Sequence, residues 1–296
     1  MVDLILTIVV CTYNRKELLD NCLSSLEKQT AYKKEYEILT IDNNSKDDTR
    51  NVASKYVKTH DNFRYLSETK QGLSYSRNKG WKEARGEFVG YIDDDSIADK
   101  DWIKRIIEFV NEKRDVQAFG GPYDRYTIEK LPTWFPPEYG KLFLGNKIRK
   151  VDIGKEWITG TNMVFKKDLL KRLGGFNTSL GMSGKKLAYG EEAELLRRIA
   201  KKGIAVYYNP KMIVKHLIDG RKVSFYWLLK SSYFNGINFW DIHGIQPNLI
   251  SSIYSIVRTV LLAPKVIFNR KGPTERKLYY ALSNIFFSFG QLRGAL

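Results

Sequence analysis

Cysteine is scarce: the 296 residues contain only Cys11 and Cys22. One lies in an apolar run and the other on the apolar side of a predicted helix, which leaves no basis for a disulfide framework and fits a reducing compartment. The opening Met1-Val2-Asp3 runs at once into a strand-like segment, lacking the basic flank and small-residue cleavage site of a secretory signal, so a cytoplasmic location is expected. Internal repeats and low-complexity tracts are also missing, which excludes solenoids and disordered arrays. Acidic residues are in deficit, 33 Asp and Glu against 49 Lys and Arg, giving a formal net charge of +16. That excess favours a polyanionic partner, whether nucleic acid, an anionic membrane surface or a phosphorylated substrate. A content of 43% apolar and 28% charged residues is ordinary for a globular protein, and the length allows one large α/β domain with a smaller appendage.

The first 120 residues alternate apolar runs with helical patterns, the rhythm of a parallel βαβ sheet. Strands are predicted over Leu4 to Cys11, Glu37 to Ile41, Arg64 to Leu66 and Phe88 to Ile92. Between them, Asn14 is the expected N-cap of a helix with Leu18, Leu19, Cys22, Leu23 and Leu26 on one face. Ser45 and Asp48 have capping-box spacing for a second helix to about Lys58, and Leu73 to Ala84 reads as a third. Trp102, Ile103, Ile106, Ile107 and Val110 repeat at helical spacing. From Gly120 to Gly154 the pattern loosens into a loop marked by Pro122, Pro132, Pro136 and Pro137. A strand from Asn162 to Phe165, a helix closing at Gly174-Gly175, a helix from Glu191 to Lys202 and a single strand-like run from Val206 to Val214 follow.

Two acidic constellations could carry chemistry. Asp93-Asp94-Asp95 directly follows an apolar strand, at the carboxyl end where parallel sheets bind ligands. Adjacent carboxylates repel unless neutralised, and Mg²⁺ or Mn²⁺ shared with a substrate phosphate would do so; a solvated turn ahead of the next helix is the alternative. Glu191-Glu192 opens a helix whose dipole favours acids, and either glutamate could instead act as a general base toward an attacking hydroxyl.

Five ordered blocks resemble family 2 glycosyltransferases of the GT-A fold: Ile8 to Arg15, Glu37 to Ser45, Gln71 to Gly80, Asp93-Asp94-Asp95 in place of the DxD motif, and Glu191-Glu192 where the family usually has Glu-Asp. The resemblance covers roughly residues 4 to 220. It implies a Rossmann-like, mostly parallel α/β sheet flanked by helices, and inverting transfer of a sugar from a nucleotide-sugar donor, UDP-linked in first place, with dTDP and GDP as alternatives. It further implies that Thr12, Tyr13, Arg15 and Arg77 line the nucleotide, that Asp42 recognises the base, and that Asp93 meets the ribose or the metal's surroundings. Asp95, with His216 as a further candidate, would hold the metal, and Glu192 would be the base, with Glu191 the alternative. The segment from Trp157 through Gly160 to Asn162 resembles the part that shapes the acceptor side; Trp157 either stacks on a sugar ring or is a core aromatic.

A nucleotidyltransferase would share the sheet and acidic site but usually carries a Gly-rich, basic loop after the first strand, where Thr12-Tyr13-Asn14 stands here. A nucleic-acid-binding protein is favoured by charge and aromatic content alone, since no helix-turn-helix, RNP, zinc or phosphate-loop motif is present. The last stretch is distinct. From Lys211 onward twelve Lys and Arg face three Asp and Glu, among Phe225, Tyr226, Trp227, Tyr233, Phe234, Phe239 and Trp240 and an apolar run from Leu249 to Phe268. Arg258 and Lys265 interrupt that run, so interfacial helices are expected rather than a spanning one. Residues 1–220 are thus expected to be catalytic and 221–296 a basic helical appendage, peripheral on the inner face of the cell membrane and serving a lipid-linked saccharide acceptor. Packing on the catalytic part, or a homodimer interface, is the alternative.

Overall fold

The computed structural model describes residues 4–184 and 188–296. Strands β1 (Leu6–Thr12), β2 (Tyr36–Asp42), β3 (Phe63–Ser67) and β4 (Phe88–Asp93) run parallel, linked by helices α1 (Lys16–Glu27), α2 (Thr49–Thr59) and α3 (Leu73–Glu83). After the short β5 (Ser96–Ala98) come α4 (Trp102–Glu112), β6 (Ala118–Gly120), β7 (Tyr123–Tyr126), β8 (Arg149–Lys150), β9 (Met163–Lys166), α5 (Lys167–Leu173), α6 (Glu191–Lys201), β10 (Val206–Tyr208) and β11 (Val214–Leu217). A 3-10 turn, Gly220–Lys222, leads to α7 (Phe225–Ile237), α8 (Phe239–His243), α9 (Leu249–Asn269) and α10 (Thr274–Ala295).

The main sheet has the order β3-β2-β1-β4-β9-β6-β10-β8, and β5-β11-β7 form a second, three-stranded sheet. Strand β9 is antiparallel to both neighbours, so the sheet is mostly but not wholly parallel. Both of its faces are covered, and the inner strands are therefore buried almost along their whole length rather than on alternate residues. Period-two geometry sends Ile8 and Val10 toward α1 and α4, where Leu19, Leu23, Trp102 and Ile106 pack. Val9, Leu39 and Ile41 point the other way, toward Trp81, Leu195 and Ile199.

Four expectations change. Asn14 does not cap α1: Arg15 holds the N-cap position, and Asn14, at φ 52°, instead accepts from Lys46 N through its side chain. Helix α2 starts at Thr49 with Asp48 as N-cap, because Ser45 N is taken by the Asp42 carboxylate 3.0 Å away and the intervening residues turn. The loop-rich excursion contains β7 and β8. The run from Val206 to Val214 is two strands in two different sheets, broken where Asn209 N bonds Gly120 O and Pro210 follows.

The C-terminal helices pack closely. A Cβ on Gly236 of α7 would lie 2.0 Å from Phe287 O, so only glycine allows α10 that near. Leu228 of α7 joins Phe135 and Ile218 in a small cluster, and Arg276 of α10 donates to the carbonyls of Thr133 and Trp134.

Candidate active site

Parallel pairing aligns the carboxyl ends of the strands: Thr12 lies opposite Asp42, and Cys11 opposite Asp93. The chain leaves β1 toward β2 on one side and β4 flanks it on the other, so the crevice between β1 and β4 is the switch point where ligands bind in such sheets. Asp93 ends β4, and Asp94 and Asp95 form the tight turn into β5.

The turn buries two carboxylates, with Asp94 4% and Asp95 5% exposed. Each needs a counter-charge there. Arg15 Nη1 lies 2.9 Å from Asp94 Oδ1 and 3.3 Å from Asp95 Oδ2. Lys222 Nζ lies 3.7 Å from Asp95 Oδ2. Strand β11, paired with β5, delivers His216, whose Nε2 is 3.1 Å from Asp95 Oδ1 and 4.0 Å from Asp93 Oδ2. Burial pushes Asp94 up to about 6 against the pull of Arg15. Burial works the same way on Asp95, but His216, Lys222 and Arg15 outweigh it and hold that carboxyl well below the usual range.

Asp93, Asp95 and His216 each place one ligand atom within 4.8 Å of the others, and no other such group occurs among the described residues. Among the described residues, Asp95 Oδ1 and His216 Nδ1 are buried without a conventional hydrogen-bond partner, although His216 Nε2 stands 3.1 Å from that oxygen. A buried, unsatisfied carboxylate oxygen beside an imidazole and a second carboxylate is a donor set that Mn²⁺ or Mg²⁺ fits.

Arg77 joins this cluster to the glutamates. It is 3% exposed on α3, ion-paired through Nη1 with Glu191 and through Nη2, at 3.3 Å, with Asp93. Burial disfavours its charge, but the two carboxylates overcome this and keep its pKa raised. Gly160 makes room for it: a Cβ there would stand 2.2 Å from Nη2. Glu192 has no ion-pair partner among the described residues. Burial, with Glu191 adding to it, pushes its carboxyl up to about 8. Burial also raises Tyr123 to about 12, with smaller contributions from Glu192 and Asp93; its ring stands edge-on to His216 at 5.9 Å.

The remaining expected residues divide. Asp42 is buried at the end of β2, accepting from Ser45 N and, at 2.8 Å, from Tyr65 Oη. Thr12 Oγ1 is buried at the strand end, without a hydrogen-bond partner among the described residues, and Tyr13 is half-buried next to it. Trp157 is 55% exposed, which overturns its reading as a core aromatic: the neighbouring Ile158 fills the interior instead. Lys222 and Tyr123 escaped the sequence reading. Lys222 follows His216 by six residues, and that shared segment was the available signal.

Residues 7–174 match the profile of Glycosyl transferase family 2, more than half of the chain. The chain belongs to this family. It is therefore a glycosyltransferase, which sets aside the nucleotidyltransferase and nucleic-acid-binding alternatives. It is 30% identical over 236 residues to a glucosyl-dolichyl phosphate glucuronosyltransferase of Haloferax volcanii, covering 78% of this chain and 74% of that protein. It is 31% identical over 194 residues to a GalNAc(5)-diNAcBac-PP-undecaprenol beta-1,3-glucosyltransferase of Campylobacter jejuni, covering 64% of this chain and 58% of that one. Among solved structures, the Pyrobaculum calidifontis mannosyltransferase PcManGT, in complex with GDP-Man and Mn²⁺, superposes with a TM-score of 0.58 at 19% identity, covering 98% of this chain and 73% of that one. Staphylococcus aureus TarS 1-349, in complex with UDP-GlcNAc, gives 0.60 at 16% identity over 98% and 90%. These two likenesses establish the GT-A fold.

Proposed function

We propose that this enzyme transfers a sugar, with inversion, from a nucleoside diphosphate sugar to a hydroxyl of a lipid-linked saccharide, in polysaccharide or glycoconjugate synthesis. The observation that carries the reading is the bridge made by Arg77, which sets the Asp93, Asp95 and His216 group beside the opening of α6. Glu192 is the base. Its raised pKa lies near neutral pH, as suits a group that must accept a proton in the transition state. The acceptor oxygen attacks the anomeric carbon as its proton passes to Glu192, and the bond from that carbon to the diphosphate oxygen breaks, releasing nucleoside diphosphate. Asp93, Asp95 and His216 would hold a divalent cation, Mn²⁺ or Mg²⁺, which when bound neutralises charge on the leaving diphosphate. Thr12, Tyr13, Arg15 and Asp42 line the nucleotide side, while the exposed Trp157 offers a stacking face to an acceptor sugar.

A UDP-sugar is the first donor to try, as TarS holds UDP-GlcNAc on the same fold; GDP and dTDP sugars are the alternatives. The lipid-linked acceptor is supported by the names of both relatives above and by the C-terminal region. Helix α9 is 21 residues long with a mean hydropathy of 1.4, and 6% of its most apolar window is buried. By length and composition it could cross a membrane, but Arg258, Pro264 and Lys265 interrupt it and favour an interfacial seat. Ile250, Tyr254 and Leu261 stand outward. We therefore keep 221–296 as the membrane-associating region on the cytoplasmic face, with a homodimer as the competing use of that surface. Melting temperatures with a panel of nucleotide sugars, with and without Mn²⁺, test the donor side, because a ligand of the native state raises apparent stability. A Mn²⁺-dependent shift with UDP-sugars supports the reading; no shift with any nucleotide sugar contradicts it.

A further inference from the structure

Lys222 has no part in the chemistry above, yet its ammonium lies against a metal-site carboxylate. It is the last residue of the 3-10 turn, six positions past His216 and two before Ser224, whose side chain caps α7. Its Nζ is 3.7 Å from Asp95 Oδ2, the oxygen that Arg15 approaches to 3.3 Å. Two cations from distant parts of the chain therefore share one oxygen, while the other oxygen, Oδ1, faces His216 and is left for a cation.

Arg15 and Lys222 together balance Asp94 and Asp95, so this part of the site is close to neutral before any ion enters. A divalent cation arriving beside Asp95 makes the two positive side chains redundant and repels them. They are not equally free to leave. Arg15 is held a second time, 2.9 Å from Asp94 Oδ1, whereas among the described residues Asp95 is the one carboxylate that Lys222 reaches, and the Lys222 side chain keeps 23% exposure on a flexible four-carbon stem. The diphosphate of the donor is the anion that comes in with the cation, and a mobile ammonium is a suitable partner for it.

We propose that Lys222 is a donor-binding residue: it neutralises Asp95 in the free enzyme and moves to the diphosphate when cation and nucleotide bind. The inference rests on the metal-dependent transferase reading. It gives the segment after β11 a direct share in the donor site, and it requires effects of opposite sign on two ligands. Lys222 hinders the bare cation and helps the nucleotide.

Lys222→Met keeps the stem and removes the charge. Titration calorimetry with Mn²⁺ alone, and with UDP or GDP in saturating Mn²⁺, reads both affinities on wild type, Lys222→Met and Lys222→Arg. Lys222→Met is expected to bind Mn²⁺ alone roughly tenfold tighter and the nucleotide roughly tenfold weaker, a fraction of the charge interaction available at this separation. Lys222→Arg should return both toward wild type. If both affinities are unchanged in Lys222→Met, or fall together, the lysine assignment is overturned while the transferase reading stands. A wild-type protein that binds neither Mn²⁺ nor nucleotide overturns both.

Discussion

Arg77 and Glu191 form a buried ion pair, one on α3 and the other at the first position of α6. The pairing separates two adjacent glutamates that look alike in the sequence. Glu191 is committed to a structural cation, whereas Glu192 keeps a carboxyl that can take up a proton. Since the same guanidinium holds Asp93, the start of α6 and the end of β4 are fixed to one side chain.

Arg77→Met should leave two carboxylates without their cation and destabilise the fold by about 3–5 kcal/mol, the scale of a broken buried pair. Gly160→Ala should act in the same direction, because its new Cβ would meet Arg77 Nη2 at 2.2 Å. Urea unfolding checks both; wild-type midpoints in either variant would contradict the bridging role of Arg77.

Glu192→Gln should bind nucleotide sugar normally and lose roughly 10²-fold or more in turnover, as for a missing general base. Steady-state kinetics with donor titration separates the two effects. If Glu191→Gln is the inactive variant that still binds donor, and Glu192→Gln is near normal, the base is Glu191.

The pH dependence has a defined sign. As the proposed base, Glu192 must be ionised to act, and its carboxyl is pushed up to about 8, so the rate should rise with pH and level off above that value. Stability should move the other way. A carboxyl raised on folding favours the folded state below its unfolded pKa, and that contribution fades as pH climbs through the folded value. Glu192→Gln should therefore lose the alkaline rise in rate and be more stable than wild type above about pH 8. A wild-type rate that falls across this interval would contradict the assignment.

The 296-residue chain should float with anionic vesicles at low salt and stay behind in high salt, each basic residue near the surface contributing about 1 kcal/mol. Cutting the chain near residue 222 would disturb the site itself, given the contact of Lys222 with Asp95. Substituting Ile250, Tyr254 and Leu261 by Ser is the cleaner variant, and it should abolish flotation. Wild type that remains unbound at low salt, or that elutes as a stable dimer through this face, would argue for the competing use of the surface.

The sheet was legible because its inner strands are apolar runs of the right length, and the acidic motifs because each sits at the end of such a run. Where reading failed, tertiary contacts overrode local pattern. Ser45 has capping spacing, but its N–H goes to Asp42. Val206 to Val214 looks continuous until Asn209 bonds to Gly120 and the chain changes sheet. Trp157 is exposed although its residue type suggests a core. The block from Gln71 to Gly80 marks Arg77, but its two ion pairs become visible only once α3 and α6 face each other. No periodicity marks Lys222, because its role depends on a turn that folds back over Asp95.

The most direct measurement is release of nucleoside diphosphate from a nucleotide sugar and an acceptor, with Mn²⁺, with EDTA, and with the Asp95→Asn variant in Mn²⁺. Asp95→Asn removes a charged oxygen ligand with little change in volume. Turnover should appear with wild type and Mn²⁺, and should be lost both in EDTA and in Asp95→Asn while that variant keeps its native melting transition. Full turnover in EDTA, or in folded Asp95→Asn, would contradict the metal centre proposed for Asp93, Asp95 and His216.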